Sequence, residues 1–243
     1  RRRFAQGNPR SRKTSLDRGN YKYFYSFLRF MPKPRAISPV AATPTLTRIV
    51  SQARTHFFAH GYCQCTMDEL ATELGMSKKT LYVHFPSKEA LVRAVIADLS
   101  REVRASADAL IANRQLNFAE KLRGFAEGMA ERLTSMNPRL LRDLQRFAPD
   151  VYQQVAKMRE ENIPYVFGRF IEEGQLAGFV RTDLRQDFAV TFFLQAMHGL
   201  LTPAIMDRLG LTPREILPRA IELLFAGLLT PAGRQEHEKL FPR

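Results

Sequence analysis

Groups that suit phosphates and base edges crowd into the stretch SKKTLYVHFPSKEAL, which covers residues 77–91. Its first eight residues hold two lysines, a threonine, a tyrosine and a histidine. Ammonium and hydroxyl groups donate hydrogen bonds to phosphate oxygens and to the edges of bases in a duplex. Pro86 divides the stretch, because the residue before a proline avoids helical angles. We therefore expect a short helix before Pro86, whose chemistry depends on the face that carries these groups.

Helical periodicity assigns these residues to two faces of the expected helix. At about 100° per residue, Leu81 and Phe85 share the core side. The outer side and its flanks carry Lys79, Thr80, Tyr82, Val83 and His84. A lysine can donate to guanine O6 and N7, and a threonine can bond a base or pack on a thymine methyl group. The pattern predicts that the centre of the outer face meets bases and that its flanks meet phosphates.

A second short helix is expected just before this one. TMDELATELG, residues 66–75, begins with a T-x-x-E capping box of Thr66 and Glu69 and ends at Gly75, which suits a left-handed stop. Two helices joined by a short turn containing glycine form a helix-turn-helix, whose second helix lies in the major groove of DNA. This arrangement predicts seven DNA-contacting residues: Thr66, Lys78, Lys79, Thr80, Tyr82, His84 and Lys88.

A purely structural interpretation of the same residues stays open. A pair of surface lysines on a short capped helix is often only a solvated face. In that case Thr66 would be no more than a helix cap, and Tyr82 would be a half-buried core aromatic with a solvated hydroxyl.

Residues 46–96 closely resemble the N-terminal domain of the tetracycline-repressor (TetR) family of bacterial transcription regulators. The matching residues are Ala53, Phe58, Gly61 and Tyr62, the segment TMDELA at 66–71 and the segment LGMSKKTLYVHFPSKEAL at 74–91. The resemblance implies a three-helix DNA-binding domain that a fourth helix joins to an all-helical ligand-binding and dimerisation domain. It also implies DNA contact at the seven residues named above.

The apolar residues have helical spacing almost throughout, and no stretch alternates with a period of two, so we predict an all-α fold without a sheet. The expected helices cover residues 46–60, 66–74, 77–85, 87 to about 111, 150–177, 184–207 and 212–229, with others near 118 and 138. The predicted organisation is an extension at 1–44, a helix-turn-helix DNA-binding domain at 45–95, a helical effector-binding and dimerisation domain at 96–230 and a tail at 231–243.

The net charge of +13 is concentrated at the start of the chain. Residues 1–30 hold nine Arg or Lys and one Asp, so the rest of the chain carries much less of the excess. The first methionine is Met31. Two interpretations of residues 1–30 stay open: upstream sequence that is not native to the protein, or a basic, disordered arm that contacts DNA phosphates.

The predicted second domain is rich in Phe and Met, which suits a pocket for a small apolar or aromatic effector, although residues at this spacing also fill plain cores. The predicted effector-binding residues are Phe125, Met129, Phe147, Tyr152, Phe167, Phe192, Gln195 and His198. By the family resemblance, helices 184–207 and 212–229 would pair with their copies in a second subunit as a four-helix bundle. The predicted dimerisation residues are Phe193, Met197, Leu201, Ile221, Leu224, Phe225 and Leu228, which could instead fill a monomeric core.

The sequence shows no recognisable catalytic or metal-binding pattern. It contains no G-x-S-x-G, P-loop, H-E-x-x-H or Rossmann fingerprint, so we predict no enzyme and no cofactor. Cys63 and Cys65 fit small buried thiols, and His56 with His60 lacks a third ligand, so we predict no metal site. The longest apolar run, residues 189–206, is a poor membrane span because polar residues and a proline interrupt it.

Together with the resemblance, these features predict a bacterial, cytoplasmic, nucleoid-associated homodimer that regulates transcription as a ligand-responsive repressor. Its partners would be an inverted-repeat operator in double-stranded DNA, a second copy of itself and the effector, with no membrane. Two alternatives belong to other classes: a non-specific DNA-binding protein that acts through its basic tail, and a helical small-molecule-binding protein or enzyme.

Overall fold

Over residues 43–240, which the computed structural model describes, the chain forms eleven α-helices and no β-strand. A single isolated bridge pairs Val180 with Leu229. The prediction of an all-α fold is confirmed. The extension predicted at residues 1–44 lies almost wholly outside the described residues. The helices are α1 (Pro44–His60), α2 (Met67–Glu73), α3 (Lys78–His84), α4 (Lys88–Ala112), α5 (Phe118–Arg132), α6 (Arg139–Phe147), α7 (Pro149–Leu176), α8 (Gln186–Leu200), α9 (Pro203–Leu209), α10 (Pro213–Leu228) and α11 (Pro231–Leu240).

Serine and threonine caps set the starts of α2, α3 and α4. The Thr66 hydroxyl accepts a hydrogen bond from the backbone N–H of Glu69 at 3.1 Å, and the Glu69 carboxylate accepts one from the N–H of Thr66 at 3.0 Å. Ser77 and Ser87 each accept a backbone N–H from the third residue that follows. Such caps satisfy donors that have no partner inside the helix. Because their sequence signals are local, the predicted bounds of α1–α4 agree with the structure to within two residues.

Two predictions about the later helices are wrong. The helix expected at 184–207 breaks after Leu200 and restarts at Pro203, so α8 and α9 are separate helices bent by 78°. Proline has no N–H to continue the α8 hydrogen bonds, but it is well suited to the first position of a new helix. The segment expected to be a tail contains α11, which packs against α5.

A buried core runs through the first three helices and into α4. Ile49, Leu70, Leu81 and Leu91, one from each of α1–α4, are all 0% exposed. Complete burial of such a side chain contributes about 1.5–3 kcal/mol. Helix α4 then continues without interruption past residue 95 and packs against α7. The proposed domain division at residue 95 therefore falls inside one rigid helix, which can transmit movement between its two ends.

The later helices meet at Phe167 of α7. Its ring centroid lies 4.3 Å from that of Phe193 on α8, 5.9 Å from that of Phe125 on α5 and 6.3 Å from that of Phe225 on α10. Aromatic pairs at such distances add about 0.5–1.5 kcal/mol each beyond their burial. This cluster fixes the arrangement of four helices around a common interior.

Within residues 43–240, no single helix is long and apolar enough to cross a membrane. Helices α8 and α9 reach the necessary length and composition only when the bent pair is taken together.

Candidate nucleic-acid interface and ligand cavity

Helices α2 and α3 form the helix-turn-helix that the sequence predicts. Gly75 in the turn has a φ of 63°, a left-handed conformation that glycine adopts without strain. Arg48 of α1 donates a hydrogen bond of 2.8 Å to the carbonyl of Leu74, which holds the end of α2 against α1. Leu81 and Phe85 are buried, as the helical periodicity of α3 predicts. The orientation of α3 is thereby fixed by its core side.

The opposite face of α3 is open to solvent. Lys79 and Thr80 are exposed, Tyr82 is 46% exposed and Val83 is 75% exposed. Among the described residues, Lys79 has no carboxylate partner. Val83 and the unpaired ammonium of Lys79 lie one turn apart on one short helix, and they suit the thymine methyl groups and the hydrogen-bond acceptors of a DNA major groove. His84 is half-buried at the edge of this face.

Three of the predicted DNA-contacting residues, including the exposed Thr80, already interact with other groups of the chain. The Thr66 hydroxyl takes part in the capping box and also donates to the Glu69 carboxylate at 2.8 Å. Lys78 forms an ion pair with Asp68. The Thr80 hydroxyl lies 2.8 Å from the Ser77 hydroxyl. Because Lys78 and Asp68 are both largely solvated, a phosphate could replace this carboxylate at little cost.

Lys88 has a role that sequence reasoning missed. Its ammonium donates to the backbone carbonyls of Tyr62 at 3.1 Å and Cys65 at 3.2 Å, and lies 4.1 Å from the centre of the Tyr62 ring. Two of its three donor hydrogens therefore hold the loop between α1 and α2, leaving one for a phosphate. Lys88 positions the loop that leads into the helix-turn-helix.

Tyr62 is tied to the same junction through its hydroxyl, which donates a 2.7 Å hydrogen bond to the carboxylate of Glu89. Burial raises the pKa of Tyr62, and the hydrogen bond to Glu89 raises it further. The same hydrogen bond lowers the pKa of Glu89, because it stabilises the ionised carboxylate. The α1–α2 loop and the start of α4 therefore form one polar and aromatic joint.

The loop between α1 and α2 also contacts the second half of the chain. The Asp143 carboxylate on α6 accepts a 2.9 Å hydrogen bond from the backbone N–H of Cys63. Just before α6, the N–H of Asn137 donates to the carbonyl of Phe58 at 2.7 Å. Nothing in the sequence signals these contacts, since their partners are about eighty residues apart. They connect α1 and the loop before the helix-turn-helix to α6, independently of α4.

A cavity of about 160 Å³ lies between α1 and the later helices, which include α4 and α6. Phe57 and Phe58 of α1 form part of its wall, and Leu140, Leu141 and Leu144 of α6 form another part. Helices α4, α5, α7, α8 and α10 supply the rest. An occupant would therefore touch α1, which belongs to the predicted DNA-binding domain, as well as the helices that follow it.

The predicted effector-binding residues divide into two groups. Phe125, Met129 and Phe167 line the cavity. The remaining five do not: Phe147, Tyr152, Phe192, Gln195 and His198. Tyr152 and His198 are half-buried but are not among the residues that line the cavity. Phe147, Phe192 and Gln195 are exposed to solvent. For these three, helical spacing alone did not distinguish a side chain that faces the interior from one that faces outward.

The predicted dimerisation residues point into the chain's own core, so that part of the prediction is wrong. All seven are buried: Phe193, Met197, Leu201, Ile221, Leu224, Phe225 and Leu228. The first three line the cavity. The same two helices leave other apolar side chains exposed, with Phe188 and Phe192 of α8 about 60% and Leu223 of α10 76% exposed. The burial of these seven residues agrees with the alternative that they fill the core of one protomer.

The two cysteines differ in their exposure to solvent. Cys65 is buried, as predicted, and burial raises its pKa to about 12. Cys63 is exposed, which corrects the prediction of two buried thiols. Among residues 43–240, no three His, Cys, Asp or Glu side chains gather closely enough to hold a metal ion.

Comparison with known proteins gives the helix-turn-helix a family. Residues 49–95 match the model of bacterial regulatory proteins of the tetR family. The chain is 36% identical over 97 residues to the HTH-type transcriptional regulator UidR of Escherichia coli (strain K12), a match that covers 39% of this chain and 44% of UidR. It is 25% identical over 163 residues to the HTH-type transcriptional regulator YvaF of Bacillus subtilis (strain 168), which covers 67% of this chain and 85% of YvaF.

The fold also has solved counterparts. A TetR transcriptional regulator from Legionella pneumophila superimposes with a TM-score of 0.55 at 18% identity, over 76% of this chain and 98% of that one. The fold and the matched helix-turn-helix define the chain as an HTH-type transcriptional regulator. Its DNA-binding domain belongs to the tetR family of bacterial regulatory proteins.

Proposed function

We propose that the protein is a homodimeric repressor that binds an inverted-repeat operator and releases it when a small molecule enters the cavity. The observation that carries this proposal is the position of Phe57 and Phe58, which line the cavity yet belong to the helix that packs on α2. A ligand there contacts the DNA-binding part directly. Repression follows most simply, since a dimer seated on a promoter blocks access to it.

Recognition of DNA rests on the exposed face of α3. Lys79 would donate to base acceptors, with Thr80 and Val83 beside it for a further hydrogen bond and an apolar contact. Tyr82 and His84 flank this face and would donate to phosphates. Lys78 and Thr66, at the starts of their helices, would reach the backbone of the same duplex, with Lys88 supplying the last donor.

Dimerisation rests on the outward faces of α8 and α10. These helices pack against each other and expose Phe188, Phe192 and Leu223, together with the small residues Gly199 and Gly227. Small residues allow close approach of another backbone, and large apolar ones drive association. Two copies joined through this surface would present two α3 helices to two half-sites, about one helical turn or a related spacing apart.

A ligand can release the protein from DNA only if it binds more tightly to the arrangement of the DNA-binding parts that does not fit the operator than to the one that does. The cavity wall includes α1, which packs on α2, and also α4 and α6, which both pack against α1. A ligand that fits better when α4 and α6 have shifted relative to α1 lowers operator affinity by that difference alone. The effector-binding roles of Phe125, Met129 and Phe167 belong to this proposal.

Selection of binding sites from random duplex DNA tests the proposal. The wild-type chain is compared with Lys79→Ala/Tyr82→Ala, which alters only exposed side chains of α3 and should leave the fold intact. An enriched inverted repeat that the double variant fails to select supports a dimeric, sequence-specific regulator. Selection of the same sequences by both proteins would show that Lys79 and Tyr82 of α3 do not contribute to sequence recognition. Retention of random sequence without enrichment would favour a non-specific DNA-binding protein.

A further inference from the structure

The cavity contains one feature that a plain hydrophobic core does not need. Of the described residues that line it, only Arg159 and Asn162 of α7 carry polar side chains. Both ends of the Asn162 amide are engaged: its oxygen accepts hydrogen bonds from the Ser100 hydroxyl at 3.0 Å and from Nε of Arg104 at 2.6 Å, and its nitrogen donates to the Ser100 carbonyl at 3.4 Å. Arg159 is therefore the polar group of the cavity wall that is left to interact with an occupant.

The guanidinium of Arg159 has neither a carboxylate partner nor a hydrogen-bond acceptor among the described residues. Other cations near this interior are paired: Arg169 with Asp108, Lys121 with Glu173, and Arg104 with Glu161. Burial lowers the pKa of Arg159, and the electrostatic effect of Tyr152 raises it. Arg159 is half-buried and remains charged even so, and an unpaired charge that is partly removed from water is unfavourable to the folded state. A cost of this kind at a cavity wall is offset when an anion binds.

We propose that the cavity binds a lipophilic carboxylic acid, with the carboxylate against the Arg159 guanidinium and the apolar part among Phe125, Met129 and Phe167. A planar guanidinium matches a carboxylate with two parallel hydrogen bonds. The remaining wall has only apolar side chains to offer, apart from Asn162. This inference rests on the proposed ligand-responsive function and names the chemical class of its ligand.

The size of the cavity limits the ligand. Its volume is about 160 Å³. A cavity of roughly 150 Å³ in another protein accommodates a benzene molecule. The enclosed part of the ligand is therefore a single ring or a chain of about six to eight carbons.

Calorimetric titration of the full chain with matched probes tests this inference. One pair is octanoate and 1-octanol, and the other is benzoate and benzyl alcohol, so that charge varies within each pair and shape varies between them. Octylamine supplies the opposite charge. We expect at least one acid to bind 10–100-fold more tightly than its alcohol, and octylamine to bind most weakly. Whether the chain or the ring binds better identifies the shape that the cavity prefers.

Three substitutions distinguish an ion pair between Arg159 and the ligand from apolar contacts with the cavity wall. Arg159→Met should abolish the preference for the acid while the alcohol binds as well as before or better, and Arg159→Lys should keep a reduced preference. The melting temperature of ligand-free Arg159→Met should equal or exceed that of the wild type, because an unpaired charge is removed. Glu160→Ala, an exposed neighbour on α7, is the matched control.

Equal affinity for acid and alcohol in the wild type would overturn the inference, as would no binding of either acid. A preference that survives in Arg159→Met would also overturn it. These failures differ from failure of the proposed repressor function. The acid titration needs no DNA, and operator selection needs no ligand, so each result stands without the other.

Discussion

The carboxylate of Asp143 and the backbone N–H of Cys63 form a 2.9 Å hydrogen bond between α6 and the loop that joins α1 to α2. The two residues are eighty positions apart in the chain. Gly61 lies two residues before Cys63, and a Cβ atom at this position would be only 3.0 Å from the same carboxylate. The loop and α6 are therefore in close contact. This contact and the continuous helix α4 hold the DNA-binding part at two places.

Loss of the Asp143 carboxylate should loosen the loop. We expect Asp143→Ala to lower the free energy of unfolding by about 1 kcal/mol, since a single hydrogen bond to a partly solvated charge is lost. Hydrogen exchange of the Cys63 amide should accelerate, and amides within α4 should keep their protection. Asp143→Asn retains an acceptor and should change exchange less. Unaltered exchange at Cys63 in Asp143→Ala would show that the contact does not restrain the loop.

Loss of the Lys88 ammonium should lower the stability of the folded chain as well as weaken DNA binding. Lys88→Met removes the donor from the carbonyls of Tyr62 and Cys65, so we expect a loss of about 1–3 kcal/mol in urea unfolding. Lys157→Met, at an exposed position of α7, removes the same charge and should cost little. A lysine that only met phosphate would instead leave stability unchanged and reduce the salt dependence of DNA binding.

The hydrogen bond from Tyr62 to Glu89 should make stability depend on pH. The pKa of Glu89 is lowered in the folded chain, chiefly by this hydrogen bond. Its contribution is therefore complete above the ordinary glutamate pKa of about 4.3 and disappears as the pH falls through the lowered value. Near neutral pH, the free energy of unfolding of the wild type should exceed that of Glu89→Gln by less than about 1 kcal/mol, because Glu89 is exposed.

Thermal melts of wild type and Glu89→Gln from neutral to acid pH measure this difference, which should shrink to nothing at the acid end. Tyr62→Phe should show the same loss of pH dependence. Glu131→Gln, an exposed glutamate of α5, is the control. A constant difference across the whole range would mean that ionisation of Glu89 is not involved.

The outward faces of α8 and α10 should determine the oligomeric state. We expect Phe192→Lys/Leu223→Lys to shift the protein from dimer to monomer in sedimentation velocity, because it places four charges across a twofold interface. Leu176→Lys is the matched control, since Leu176 is 85% exposed and lies at the end of another helix, α7. A dimer that survives the double substitution would place the interface elsewhere.

Local signals made the DNA-binding part predictable from sequence. The caps at Thr66, Ser77 and Ser87 each lie within three residues of the groups they bind, and the periodicity of α3 follows from Leu81 and Phe85. Such short-range determinants can be read directly from residue order. The inference of the outer face of α3 needed no tertiary information, and the observed burial agrees with it.

Tertiary determinants account for what the sequence did not reveal. Phe193 and Phe192 are adjacent, yet one is in the core and the other is in solvent, and only the packing of α8 on α7 decides between them. The contacts of Asp143, Asn137 and Lys88 join residues far apart in the chain. Arg159 has no distinguishing sequence context at all. In the structure Arg159 lies at a cavity wall that is otherwise almost wholly apolar, and no carboxylate among the described residues forms an ion pair with it.

The central claim is that the exposed face of α3 reads DNA sequence. The most direct test measures the affinity of the full chain for its selected duplex and for a scrambled duplex at about 0.15 M salt. We expect the wild type to prefer the selected duplex by at least about 10³-fold. In Lys79→Ala/Tyr82→Ala the preference should fall steeply, while affinity for the scrambled duplex should fall much less, through the lost phosphate contact of Tyr82 and the lost charge of Lys79. An unchanged preference in the double variant would contradict the account.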